Sequence, residues 1–371
     1  MLRSFSIAVL AIVASLAAPA TPSLAQDVVI GFGGIFSGPY STYSEDGRKG
    51  IEVALAQINA EGGVLGRKLR VEYYDTGADR AKAVAIYRKW GAQPEVVGFL
   101  TISTIEFIAL DPIADEVKLP LFPFGSTTPF PKFSSWTFRN NTVLTKTIPY
   151  VLEEIKKLKS VKTISILQDT ANPAMVAEAT AVKDIAPKTG LEVKSFETFA
   201  TNDQDFSTQL TNVKAADPDL INVAGSTYED SLIISQARAL KLRGIILGGN
   251  GMNDPRVANL PNNASNGIMT YFRFDPADER PFIKRFVDDY RKRYNETPAS
   301  YASLAADAVY LIADAVKRAG KTDRDAVREA LGKTKDLDVL NGKISFDGPG
   351  DNLVQTTGLF ENRDGKYVRI K

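Results

Sequence analysis

The 371-residue chain contains neither cysteine nor histidine. Without cysteine it cannot use disulfides, so a large apolar core must hold it together. Lacking both residues, it is without the commonest general base, the best zinc ligands and both the Ser–His and Cys–His nucleophile pairs. An enzyme reading is left with carboxylates such as Asp75 and Asp254, and no spacing brings such a pair together. An excess of one charge is also missing: 45 Lys and Arg stand against 44 Asp and Glu. No basic patch offers a nucleic-acid footprint. Beyond the first 25 residues no apolar run approaches the ~20 residues that span a bilayer, so the mature chain is expected not to insert in a membrane. No cofactor or metal motif stands out.

The first 25 residues have a character of their own. Met1-Leu2-Arg3 is a short positive start, Phe5 to Ala18 is almost wholly apolar, and Ser23-Leu24-Ala25 places small residues where a signal peptidase reads. A leader over 1–25, cleaved near Ala25, is expected. Its removal leaves 44 basic against 44 acidic residues. With no lipobox cysteine, the mature chain is expected free in a bacterial periplasm.

The remainder alternates strand and helix. Val28–Phe32 reads as a buried strand and Asp46–Ala60 as an amphipathic helix, with Ile51, Leu55 and Ile58 on one face. Strands at Leu69–Tyr74, Val96–Leu100 and Leu121–Phe124 follow, separated by helices at Asp79–Trp90 and Thr104–Glu116. After Thr142 the series restarts and runs to a strand at Ile268–Phe272. Three helices and two short C-terminal strands close the chain. Such alternation predicts an α/β protein of two similar halves, each a parallel sheet covered by helices.

The segment Ile30–Gly50 tests for a nucleotide site. Gly31-Phe32-Gly33 begins a dinucleotide fingerprint, but Phe36 stands at its third glycine. About fourteen residues then pass before helical periodicity starts, too many for a usual βα turn. The Gly-Lys-Ser/Thr of a phosphate loop is absent. Ser37-Gly38-Pro39 fits a turn.

The same segment resembles the start of the Leu/Ile/Val-type periplasmic solute-binding proteins of ABC transporters. Ser37-Gly38-Pro39, Gly47, Gly50, Ala54, Ile58-Asn59, Gly62-Gly63 and Gly66 carry the likeness. It continues through Tyr74-Asp75, Pro120, Gly125-Ser126-Thr127 and Asp205-Phe206-Ser207 to Tyr301, Asp307-Ala308-Val309 and Phe346-Asp347. The resemblance implies a type I periplasmic binding protein, two Rossmann-like lobes joined by a three-strand hinge and closing on a solute between them. Lobe 1 would hold 27–142 and 272–343, and lobe 2 would hold 143–271 and 344–371. A monomer that delivers its solute to an inner-membrane ABC permease is implied. A receptor-type relative, one binding an amide or urea included, is the regulatory alternative, and the leader argues against it.

By the same resemblance a ligand carboxylate meets Ser103, Ser126 and Thr127, although an ungapped register puts Ile102 in place of Ser103. Without the resemblance helix capping is the favoured use of Ser103 and Thr127, and the two uses are compatible at a helix terminus. Where relatives binding α-amino acids place an acid for the ammonium, this chain has Asn250, in Leu247-Gly248-Gly249-Asn250. Asn172-Pro173-Ala174 replaces another family pattern, Tyr-Gly. A buried ammonium without a counter-charge is costly, so a ligand without one is expected, unless Asp254 supplies the charge. Tyr40 and Tyr43 in the opening loop, with Tyr228 and Tyr301 near expected cleft edges, offer flat apolar faces with a hydroxyl. An aromatic carboxylate is therefore expected, with a branched-chain or other α-amino acid as the alternative. Phe122 and Phe124 read as core rather than pocket.

Overall fold

A computed structural model describes residues 26–38, 40–249 and 251–371. The expected leader with its cleavage point at Ala25, Pro39, and Asn250 lie outside the described residues.

The first sheet is wholly parallel, in the order β2 (Leu69–Asp75), β1 (Val28–Gly34), β3 (Val96–Thr101), β4 (Leu121–Pro123). Every residue of β1 and β3 is buried, as expected of strands covered on both faces. The connecting helices are α1 (Ser41–Ala60), α2 (Arg80–Gly91) and α3 (Thr104–Val117). The glycines of β1 seat aromatic rings. A Cβ on Gly31 would stand 2.2 Å from the Trp90 ring of α2, and one on Gly33 would stand 2.7 Å from the Phe99 ring of β3. No phosphate is needed to explain them.

The chain then forms β5 (Phe138–Arg139) and enters a second sheet. That sheet has the order β7 (Glu192–Phe199), β6 (Thr163–Asp169), β8 (Leu220–Ala224), β9 (Ile245–Gly248), β10 (Met269–Phe272), all parallel. Helices α4 (Leu144–Leu158), α5 (Pro173–Ile185), α6 (Ser207–Ala216), α7 (Thr227–Ala239) and the single turn α8 (Pro255–Ala258) alternate with these strands. After β10 the chain returns to the first sheet with α9 (Pro281–Tyr294), α10 (Ser300–Ala319) and α11 (Arg324–Gly332). Phe286, Tyr290 and Ile312 join the core of Ile30 and Phe32, and Phe122 and Phe124 are fully buried in it. Trp90 is buried beneath the other face of the sheet.

Two sequence expectations need correction. The first helix starts at Ser41, not Asp46, so Tyr43 is a helical residue and Tyr40 its N-cap. The polar first turn has no side-chain cap, so neither apolar period nor capping signal marks its start. The C-terminal region holds five short strands rather than two. β11 (Leu337–Val339) and β12 (Gly342–Ile344) form a hairpin, and β13 (Gly350–Asp351) pairs with β5. β14 (Gly358–Arg363) and β15 (Lys366–Arg369) extend the second sheet antiparallel to β10. Strands of two or three residues carry too little pattern to be read from sequence.

The chain therefore passes between the sheets three times, and the passages are tied to one another. Asp307 on α10, fully buried, accepts from Leu340 N at 2.7 Å, Asn341 N at 3.0 Å and Asn341 Nδ2 at 2.8 Å. Burial pushes its carboxyl up to about 7. Arg273, just after β10, donates from Nη1 to Asn140 O at 3.2 Å and from Nη2 to Lys343 O at 2.9 Å. One guanidinium thus touches the backbone of the other two passages.

Candidate functional site

Two cavities lie between the sheets' helical layers and share Gly125, Ala174, Met175 and Tyr301 in their walls. The outer one meets the start of α3. Ser103 is the α3 N-cap, its Oγ accepting from Ile105 N at 3.0 Å, and Ile102, Ser103 and Thr104 all line the cavity. Thr127 and Gly125 line the inner cavity from the same side. Ser126 does not line either cavity. It is fully buried, and its Oγ accepts from Thr104 Oγ1 at 2.9 Å, so it props the helix start instead.

The tyrosines divide. Tyr43 is nearly buried, its ring 4.5 Å from that of Tyr301, and both line the outer cavity beside Tyr40. Tyr40 and Tyr43 stack at 6.4 Å. Tyr228 is 45% exposed and lines a separate surface hollow with Thr42 and Leu232. Asn250 lies outside the described residues. Asp254 is committed elsewhere: it caps α8 through Arg256 N at 2.7 Å and pairs with the Arg256 guanidinium. It is not free to meet a ligand ammonium.

Three contacts close the cavities by joining residues attached to different sheets. The Tyr43 hydroxyl accepts from Thr227 N, the first residue of α7, at 2.8 Å. The Tyr40 hydroxyl lies 3.1 Å from Thr201 Oγ1, which donates to Asp169 at 2.6 Å. Arg256 reaches across to Asp46 at 2.7 Å. Burial raises Asp46 to about 6, and Arg256 opposes that rise.

Sequence reasoning missed an acid in the wall. Glu178 of α5 lines the inner cavity, is 7% exposed, and its Oε1 has no hydrogen-bond partner. Burial raises it to about 7. Behind it Asp230 of α7 is fully buried with Oδ1 unpartnered, and burial, then the charges of Glu178, Glu229 and Asp169, hold its carboxyl well above the usual range. The acid comes from α5, not from the loop after β9. A signal was present, since Glu178 interrupts the buried stripe of Met175, Ala179 and Val182. Arg273, Asn141, Asn341 and Thr357, from the passages between sheets, were missed as well.

Glu178 sets a pH expectation. Between its ordinary value of 4.5 and its folded value of about 7 the folded chain holds a proton that the unfolded chain has released. Raising the pH through that window therefore costs stability, and the contribution is gone above it. Melting of the ligand-free protein is expected to fall from pH 5 to pH 8, and Glu178→Gln should flatten that slope. A slope unchanged by the substitution would mean that Glu178 is ionised throughout.

No group of three or more metal-ligating side chains occurs among the described residues, and no helix there is long and apolar enough to cross a membrane. Comparison with known proteins adds the following. The family model for periplasmic binding proteins matches residues 27–366. A leucine-, isoleucine-, valine-, threonine- and alanine-binding protein of Pseudomonas aeruginosa is 28% identical over 346 residues, 90% of this chain and 89% of that one. The LivJ substrate-binding protein of Streptococcus pneumoniae, solved with isoleucine, superposes with a TM-score of 0.83 at 26% identity, covering 93% of this chain and 100% of that one. A solute-binding protein of R. palustris, solved with benzoate, gives 0.81 at 19% identity, covering 93% and 96%.

Proposed function

Because the chain belongs to the periplasmic binding protein family and is a solute-binding component of an ABC transporter, not an enzyme, we propose that its solute is a small aromatic carboxylate. The observation that supports this is the outer cavity, whose walls combine the start of α3 with the Tyr43–Tyr301 ring pair. Backbone N–H groups and hydroxyls at a helix start favour a carboxylate, and flat tyrosine faces favour an aromatic body. Ser103, the Thr104 backbone N–H and Thr127 would hold the anion, Tyr40, Tyr43 and Tyr301 the ring.

Glu178 favours a second reading, an α-amino acid. Its unpartnered, buried Oε1 suits an ammonium. The named ligands of the relatives span both classes, and at 19% identity the benzoate-bound structure speaks only for the architecture.

In this reading lobe 1 comprises 27–142 and 272–343, lobe 2 comprises 143–271 and 344–371, and the passages between sheets act as the hinge. The leader 1–25 would deliver a monomer to the periplasm, where it hands its solute to an inner-membrane ABC permease.

A calorimetric panel of benzoate, 4-hydroxybenzoate, cinnamate, leucine and valine tests the proposal. At least one aromatic acid is expected to bind in the micromolar range or tighter, with Glu178→Gln leaving that affinity within about threefold. Binding of leucine alone, abolished by Glu178→Gln, would establish the amino-acid reading instead.

A further inference from the structure

The inner cavity ends in a chemistry that the carboxylate-and-ring reading does not use. Arg273 lies in its wall, 8% exposed, and Nε has no hydrogen-bond partner. Its two other nitrogens are spent on carbonyl oxygens, Asn140 O and Lys343 O. Among the described residues the acidic charge that acts on it is that of Asp307, which is itself engaged by Leu340 and Asn341. Burial lowers the guanidinium to about 10, still charged at neutral pH. A buried cation without a matched anion is strongly unfavourable.

Next to it begins α10, twenty residues long, whose N-cap position is Ala299, so no side chain caps it. Its first residue, Ser300, is 2% exposed, lines the same cavity, and has an unpartnered Oγ. A guanidinium N–H, a hydroxyl and a long helix's positive end therefore converge on one space. All three favour negative charge.

We propose that Arg273, Ser300 and the start of α10 form a second, hinge-side anion subsite that receives a carboxylate. The inference rests on the solute-binding reading above and extends it to the far end of the ligand. The two cavities adjoin, sharing Gly125, Ala174, Met175 and Tyr301 in their walls, so a dicarboxylate would span the pair: one carboxylate at α3, the other at Arg273. Glu178 also faces the inner cavity, and below about pH 7 its carboxyl holds a proton that it can donate to the second carboxylate. Because Arg273 holds the backbone of both other passages, an anion drawn onto its Nε also bears on the hinge. The same site would accept a free carboxylate beside a monocarboxylate solute.

Calorimetry with benzoate, terephthalate, glutarate and adipate, each with and without 20 mM acetate, tests the subsite on the full mature chain. At least one dicarboxylate is expected to bind tenfold or more tighter than benzoate. Ser300→Ala should reduce that advantage at least threefold while leaving benzoate affinity within about threefold, and Arg273→Gln should remove the advantage. If the occupant is a free carboxylate, acetate should tighten benzoate binding to the wild type and not to Ser300→Ala. Ser300 makes no side-chain hydrogen bond, so its variant remains informative if Arg273→Gln fails to fold. The subsite is overturned if no dicarboxylate is preferred and acetate has no effect while benzoate binds, or if Ser300→Ala weakens benzoate and dicarboxylate alike. Failure of every carboxylate to bind would overturn the solute proposal and the subsite with it.

Discussion

Replacing Gly50 by alanine is expected to lower the melting temperature by about 5 °C, whereas the same change at Gly47 should leave it unchanged or raise it slightly. Both glycines lie inside α1 and both face α10. A Cβ on Gly50 would fall 2.0 Å from the Ala302 carbonyl oxygen and 2.8 Å from its Cα, backbone atoms that cannot move without displacing α10. α10 carries fifteen buried residues, so its displacement disturbs the core of the first sheet. Overpacking against such a neighbour costs about 3 kcal/mol. At Gly47 the nearest atoms stand at 3.5 Å, the Ala305 Cβ and the Phe124 ring, an ordinary contact. There alanine would bring a helix-propensity gain of up to ~1 kcal/mol. Thermal unfolding of the two variants decides the matter: equal shifts would mean that the α1–α10 approach is looser than described.

Tyr43 should show the second large effect, and on function. Tyr43→Phe is expected to weaken solute binding by roughly tenfold and Tyr43→Ala by more than a hundredfold, because a buried Thr227 N–H loses its acceptor in both and the ring is lost only in the second. The Tyr43 hydroxyl joins α1 to the first residue of α7, and under the proposed lobe closure this contact would form only in the closed state. Removing a contact made in one state alone shifts the population toward the other, and the solute must then work against that shift. Small-angle scattering supplies a readout independent of the ligand. The ligand-free Tyr43→Ala protein should show a larger radius of gyration than the wild type. If radius and affinity both match the wild type, Tyr43 takes no part in closure.

These expectations could be reached from sequence to unequal degrees. The order of strands and helices was legible because long parallel strands and amphipathic helices each bury a full face, as at Val96–Thr101 and Ser300–Ala319. The failure of Ile30–Gly50 as a phosphate loop was legible too, since that chemistry demands particular residues at fixed spacing. Ser103 and Tyr301, whose neighbours match a family pattern, line the cavities. Ser126 matches as well, yet its hydroxyl serves Thr104. Periodicity says that a face is buried, not what it is buried against, so a wall of the cavity and a wall of the core look alike. Glu178 shows the cost: an acid on an apolar stripe could be read as an exception, but not as one side of a cleft.

By itself, then, the sequence determined that this is a two-part α/β chain with no disulfide, no histidine chemistry and the pattern of a solute-binding protein. Only the tertiary structure decided which side chains meet between the parts. Tyr43 and Thr227 are 184 residues apart, Arg256 and Asp46 are 210 apart, and Arg273 sits between carbonyls 133 residues before it and 70 after it. Such contacts follow from how two separately formed cores dock through three short passages. No local spacing records that docking, because each passage is too short to carry a period and its partners lie in other parts of the chain.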